Sequence, residues 1–154
     1  MNSPLANLYL AIMARIKSEV PDIKWIDFDL GQLEAYDGER PPVEWPCLLI
    51  DFTNTEYDQM QGYQDGNVNV QLRLAFDEYE NTNGDTPTPL LEQALEYLEI
   101  EQQVYEALQA WYADNLLSNA MIRKSVISED RKEDNLRVRR MIYSATFSDN
   151  SVTG

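Results

Sequence analysis

The sequence predicts a single α+β domain: an antiparallel sheet of about four to five strands with two helices packed on one face. Three observations lead there. Two segments repeat apolar residues at the i, i+3, i+4 spacing of an amphipathic helix. Several shorter segments alternate apolar and polar residues, as a strand with one buried face does. Polar, hairpin-length connections join the strands, which favours antiparallel neighbours. The 154 residues suit one domain over 1–154. Order is expected over about 4–148, with a polar tail at 149–154 that frays.

The expected element order is α-β-β-β-α-β-β. Ser3 can cap the first helix, Pro4 suits its first position, and Pro21 ends it. Leu5, Leu8, Tyr9, Ile12, Met13, Ile16 and Val20 share one face. A short strand spans Trp25 to Leu30, and Gly31, Asp37-Gly38 and Pro41-Pro42 mark a loop over 31–46. After Pro46 a strand places Leu48, Ile50 and Phe52 on one side. Asp65-Gly66 is read as a turn. Val68, Val70, Leu72, Leu74 and Phe76 then alternate with polar residues, so this face is expected to be core. A loop over 80–89 precedes a long helix from about Leu90 to Asp114, with Leu91, Leu95, Leu98, Tyr105, Leu108 and Trp111 among its candidate core positions. Two strands, about Ile122 to Ser128 and Leu136 to Phe147, flank a charged tip at 129–135.

Charge narrows the function. The chain carries 12 basic and 27 acidic residues, net −15, and so repels phosphate backbones. Sequence-specific nucleic-acid binding is not expected. The first 122 residues hold 5 basic and 22 acidic groups, whereas 123–154 hold 7 and 5, leaving the C-terminal part alone electropositive. Such asymmetry suits association between copies. No apolar run is long enough to span a bilayer, and no basic, then apolar, leader opens the chain, so neither a membrane nor a signal peptide is expected.

Catalytic chemistry has few candidates. With no histidine, Ser-His-Asp and Cys-His systems and histidine-ligated metals are excluded. Neither a phosphate loop nor a dinucleotide-binding glycine motif is present. The lone Cys47 sits in an apolar run and reads as a buried, inert thiol. Asp27 and Asp29, two residues apart, are the pair to weigh for Mg²⁺ or acid/base work. A solvated strand face is the simpler reading. Asp51 and Arg73 are candidates for a cross-sheet ion pair. The helical aromatics Tyr97, Tyr105, Trp111 and Tyr112 read as core and rim. No catalytic residue, metal or cofactor is therefore expected. Arg131 and Lys132 at the tip, with Arg137, Arg139 and Arg140 on the last strand, are the candidate subunit-interface residues. Arg137 and Arg139 should share a strand face and Arg140 take the other.

The pattern resembles the tail terminator, or tail-completion, proteins of long-tailed phages and prophages. The resemblance covers about residues 4–148. It rests on the strand entry Pro42-Val43-Glu44-Trp45-Pro46-Cys47-Leu48-Leu49-Ile50 and the aromatic-ended strand Val68-Asn69-Val70-Gln71-Leu72-Arg73-Leu74-Ala75-Phe76. The helix from Ile100 to Leu108 and the closing strand Met141-Ile142-Tyr143-Ser144-Ala145-Thr146-Phe147 complete it. The long segments at 31–46 and 77–89 depart from the family pattern. The resemblance implies a virion tail protein, made in the host bacterial cytoplasm. It would form a homo-oligomeric ring, commonly a hexamer, that caps the tail tube and joins the head. Its partners would be its own copies, the tail tube protein and a head-tail connector protein. The alternative reading is an acidic DNA mimic that inhibits a nucleic-acid-binding protein.

Overall fold

The computed structural model describes residues 1–78 and 82–152, so part of the loop expected at 80–89 and the last two residues of the tail lie outside it. Its first helix, α1 (Pro4–Glu19), begins as the sequence suggests. The Ser3 hydroxyl accepts from the Ala6 N–H at 3.2 Å. Leu8, Ile12 and Ile16 are buried on one face, and Val20 continues it. Five strands follow in one sheet: β1 (Trp25–Phe28), β2 (Cys47–Gln59), β3 (Gln64–Phe76), β4 (Asn119–Ser128) and β5 (Arg137–Asp149), in spatial order β1-β2-β3-β5-β4.

The sheet is mixed, not wholly antiparallel as expected. β1 runs parallel to β2, pairing Trp25 with Cys47 and Phe28 with Ile50. Parallel neighbours need a crossover of about a dozen residues or more, and 29–46 supplies one without a helix. The other three pairings are antiparallel.

The Asp65-Gly66 turn is also corrected. The chain turns at 60–63, where Gly62 takes φ +88° and the Met60 N–H reaches the Tyr63 carbonyl. Gly66 lies inside β3, between Tyr57 and Phe147. A Cβ there would stand 2.4 Å from the Phe147 ring. That glycine makes room for an aromatic ring, which covers the strand where a side chain is missing.

The long second helix is divided. α2 (Thr88–Ala94) and α3 (Glu96–Leu108) meet at Leu95, and α3 ends six residues before the expected Asp114. Ala110, Ala113, Asp114 and Asn115 all take positive φ, folding the chain back against β4. There the Ala110 N–H donates to the Met121 carbonyl and the Met121 N–H to Trp111. α3 buries Ile100, Val104, Ala107 and Leu108. Leu95 and Leu98, expected in the core, are exposed, and Leu91 is half-buried. Their apolar spacing belongs to a helix face that this chain leaves uncovered.

The main core lies between the helices and one sheet face. Leu48, Ile50, Val68, Val70, Leu72, Leu74, Met141, Tyr143 and Phe147 come from the strands, and α1 and α3 close over them. The expected run from Val68 to Phe76 is buried throughout. The opposite face holds a second, smaller cluster: Leu33, Cys47, Leu49, Ala75, Leu136 and Val138, with Trp25, Val43 and Trp45 against it. Loop 29–46 covers this cluster and adds, over part of the sheet, a third layer that the sequence reading did not anticipate. β5 also runs two residues past the expected Phe147, with Ser148 opposite Asp65.

Candidate functional site

Above the small cluster, the second sheet face is polar and bare. Register places Asp51, Asn54, Glu56 and Asp58 of β2 beside Asp65, Asn67, Asn69 and Gln71 of β3. Ser144, Thr146 and Ser148 of β5 continue the row. No lysine or arginine joins this stretch, which carries carboxylates, amides and hydroxyls, with Ile142 beside Gln71 as its apolar member. It is a surface that offers no cation to neutralise a phosphate.

At its lower border the face carries a charge network. Arg73, its side chain 11% exposed, reaches Asp29 at 3.2 Å, Glu34, and Glu129 at 3.6 Å. Arg140 approaches the same Glu129 oxygen at 3.5 Å. Burial alone would lower the Arg73 pKa, but its bonds to Glu34 and Asp29 outweigh that and raise it. The network fastens loop 29–46 and the β4–β5 tip to the sheet. Arg73 therefore does not pair with Asp51, whose cross-strand neighbour is Gln71.

The sequence-chosen basic residues are largely engaged within their own chain. Arg137 bonds Asp130 at 3.1 Å and the Tyr97 hydroxyl at 3.2 Å, and its guanidinium lies 4.2 Å from that ring centre. Arg139 bonds Glu101 of α3 at 2.5 Å, which raises its pKa. Arg131 donates to the Leu33 carbonyl, while Lys132 is exposed in a short 3₁₀ turn, Lys132–Asp134. Arg137 and Arg139 share the helix-covered face and Arg140 the other, as the alternation implied. The tip is thus tied down: Asn135 also donates to the Asp77 carbonyl, and Arg40 to that of Asp134.

Asp27 and Asp29 do not converge. Asp27 accepts from the Phe28 N–H and Gln32, whereas Asp29, beyond the end of β1, accepts from the Gly31 N–H and Arg73. Each carboxylate holds a turn. Cys47 is fully buried, and burial pushes its thiol up to about 12. Of the helical aromatics, Tyr97 meets Phe76 edge-on, Tyr105 lies under Arg123, Trp111 lies under Arg15, and Tyr112 is half-exposed. A cavity of about 290 Å³ lies between α3 and the sheet end, floored by Phe76, Tyr97 and Ile100 and rimmed by Asp22, Asp77 and Glu96. Arg137 on its wall is held by the contacts above.

Sequence reasoning missed the two outer edges of the sheet. β1 covers β2 only from Cys47 to Ile50, so among the described residues Phe52 to Gln59 form a bare edge. β4 is the other outermost strand. The available signal was length: a 13-residue β2 cannot be covered by a four-residue β1.

No protein-family model matches the chain, and no curated protein matches it. Its fold does recur among solved structures. A chain from the virion of a native gene transfer agent particle is similar at TM-score 0.58 and 8% identity, over 96% of this chain and 99% of that one. The likeness spans both chains almost end to end, and what it shows is a shared fold.

Proposed function

We propose that this chain is a structural protein of a phage-like particle, which caps the tail tube as a ring and forms the surface that joins the head. The observation that carries this reading is the nearly end-to-end fold likeness to a virion chain of a gene transfer agent. The resemblance of its strand and helix pattern to tail terminator proteins supports the same role. A ring through which nucleic acid passes should not retain it, and a chain of net −15 with a cation-free open sheet face meets that need. The partners are then further copies, the tube protein and the connector, and the chain has no catalytic role. The DNA-mimic alternative fits the net charge but gives no use to the apolar, exposed Leu95 and Leu98.

Electron microscopy tests the reading in two ways. The purified chain, alone or with tube protein, should give closed rings of uniform diameter. Particles made without it should show tails of uncontrolled length that fail to join heads. Normal particles lacking the chain would defeat the proposal.

A further inference from the structure

The sheet ends in two unpartnered edges, and they carry opposite charge. On β2, backbone pairing on the outer side stops where the Asp29 N–H meets the Ile50 carbonyl. From Phe52 to Gln59 that side is bare among the described residues, and β2 contains Asp51, Glu56 and Asp58 with no lysine or arginine. On β4, Ala110, Trp111 and Gln109 cover the outer side only at Met121 and Arg123. From Lys124 to Ser128 it is bare among the described residues, and β4 contains Arg123 and Lys124 with no acidic residue. Among the described residues no ion pair engages either cation; Arg123 stacks 4.0 Å above Tyr105, and Lys124 is exposed. Ile122 and Ile127, 44% and 43% exposed, add apolar surface on β4.

We infer that the acidic edge of β2 in one copy meets the basic edge of β4 in the next. A bare edge is a template for another strand, and soluble proteins guard theirs with charge and bulges. Both guards are present: β2 is bulged at Phe52/Asn54, and β4 at Asn119/Ile122 and Arg123/Ser125. Because each edge carries one sign, like edges repel and a two-fold β2–β2 or β4–β4 contact is disfavoured. Unlike edges attract. The contact that remains is head-to-tail, the kind that closes a ring. β4 runs antiparallel to β2 within the sheet, so copies rotated about an axis along the strands bring the two edges together antiparallel. Val126 lies level with Ile50, through Met141 and Leu72, so the bare half of β4 sits below the bare half of β2. Successive copies therefore meet with a stagger, and the strands incline to the ring axis as in closed sheets.

This inference rests on the ring reading above, and the test separates the two. Glu56→Lys with Asp58→Lys makes both edges basic; Lys124→Glu with Ser125→Glu makes both edges acidic. Sedimentation velocity should show each variant losing the wild-type oligomer. Mixing the two should restore it, because each then offers the edge that the other lacks, and misfolded chains would give no such rescue. A wild type that assembles while both variants assemble equally well overturns the edge contact and leaves the ring. Loss without rescue on mixing also overturns the edge contact. A wild type that stays monomeric, with and without tube protein, overturns both.

Discussion

The two faces of the sheet bury their residues by different physics. Beneath α1 and α3 the face is apolar from Val68 to Phe76 and from Met141 to Phe147. The other face is divided: its lower part is sealed by loop 29–46 and the Arg73 network, and its upper part is open. Hydrophobic burial is non-directional, so the first face depends on shape and volume. The second face adds to its small apolar cluster a set of part-buried charges that must each find a partner, because an unpaired buried charge is costly.

The largest expected effect falls on the first face. Leu72 is fully buried at the sheet centre, and Leu72→Ala should cost about 2–5 kcal/mol in urea unfolding, as buried leucine truncations do. A loss below roughly 0.5 kcal/mol would remove Leu72 from the core. Next comes Arg73→Ala. It leaves the nearly buried Asp29 without its cation and Glu129 with Arg140 alone, and should cost about 1–3 kcal/mol, the penalty for an orphaned polar group. Arg73→Lys should recover little, since a point charge cannot serve three carboxylates in different directions. Full recovery by lysine would mean that simple charge balance, and not the guanidinium fork, holds the loop.

This contrast also marks what could be read from the sequence. The alternation of Val68 to Phe76 and the helical spacing of Leu8, Ile12 and Ile16 give burial directly, because each follows from backbone period alone. The third layer was signalled only by Cys47 to Ile50 being apolar without alternation, the mark of a strand buried on both faces. Nothing local says that Leu33 would return to cover it from a polar loop. The arginines of β5 were visible as a cluster beside Asp130 and Glu129 of the adjacent tip, but the pairing itself was not, and Glu101 comes from α3, 38 residues away. The bare edges follow from strand pairing, which is a property of topology.

A smaller effect should appear only at alkaline pH, at the buried side of the loop-covered cluster. Below the ordinary thiol value of 9.0, Cys47 is neutral in folded and unfolded chains alike. As pH rises from 9.0 towards about 12, the unfolded chain loses this proton and the folded chain keeps it, so stability falls. By pH 10 the loss from this group should be about 1.4 kcal/mol, one pKa unit's worth. Measuring unfolding against pH for wild type and Cys47→Ala isolates the slope. Equal slopes would place the thiol in contact with water, as would rapid labelling of the native protein by a thiol reagent.

The smallest effect belongs to the open half of the second face. Asn69, half-buried, stands between Asn54 and Ser144 on this face. As an isolated chain, Asn69→Ala should change stability by less than about 0.5 kcal/mol, as surface substitutions do. Repeating the measurement over a range of protein concentration sharpens the comparison between the faces. If the open face stays in water after assembly, the effect remains small at every concentration, and this half of the sheet lines a solvent-filled surface. If it is covered by a neighbouring copy, the substitution removes contacts made only in the oligomer, and its cost grows with concentration by mass action. The first outcome is expected, because a row of amides and hydroxyls with four nearby carboxylates is costly to strip of water without partners. The second would move the contact between copies from the edges of the sheet to its face.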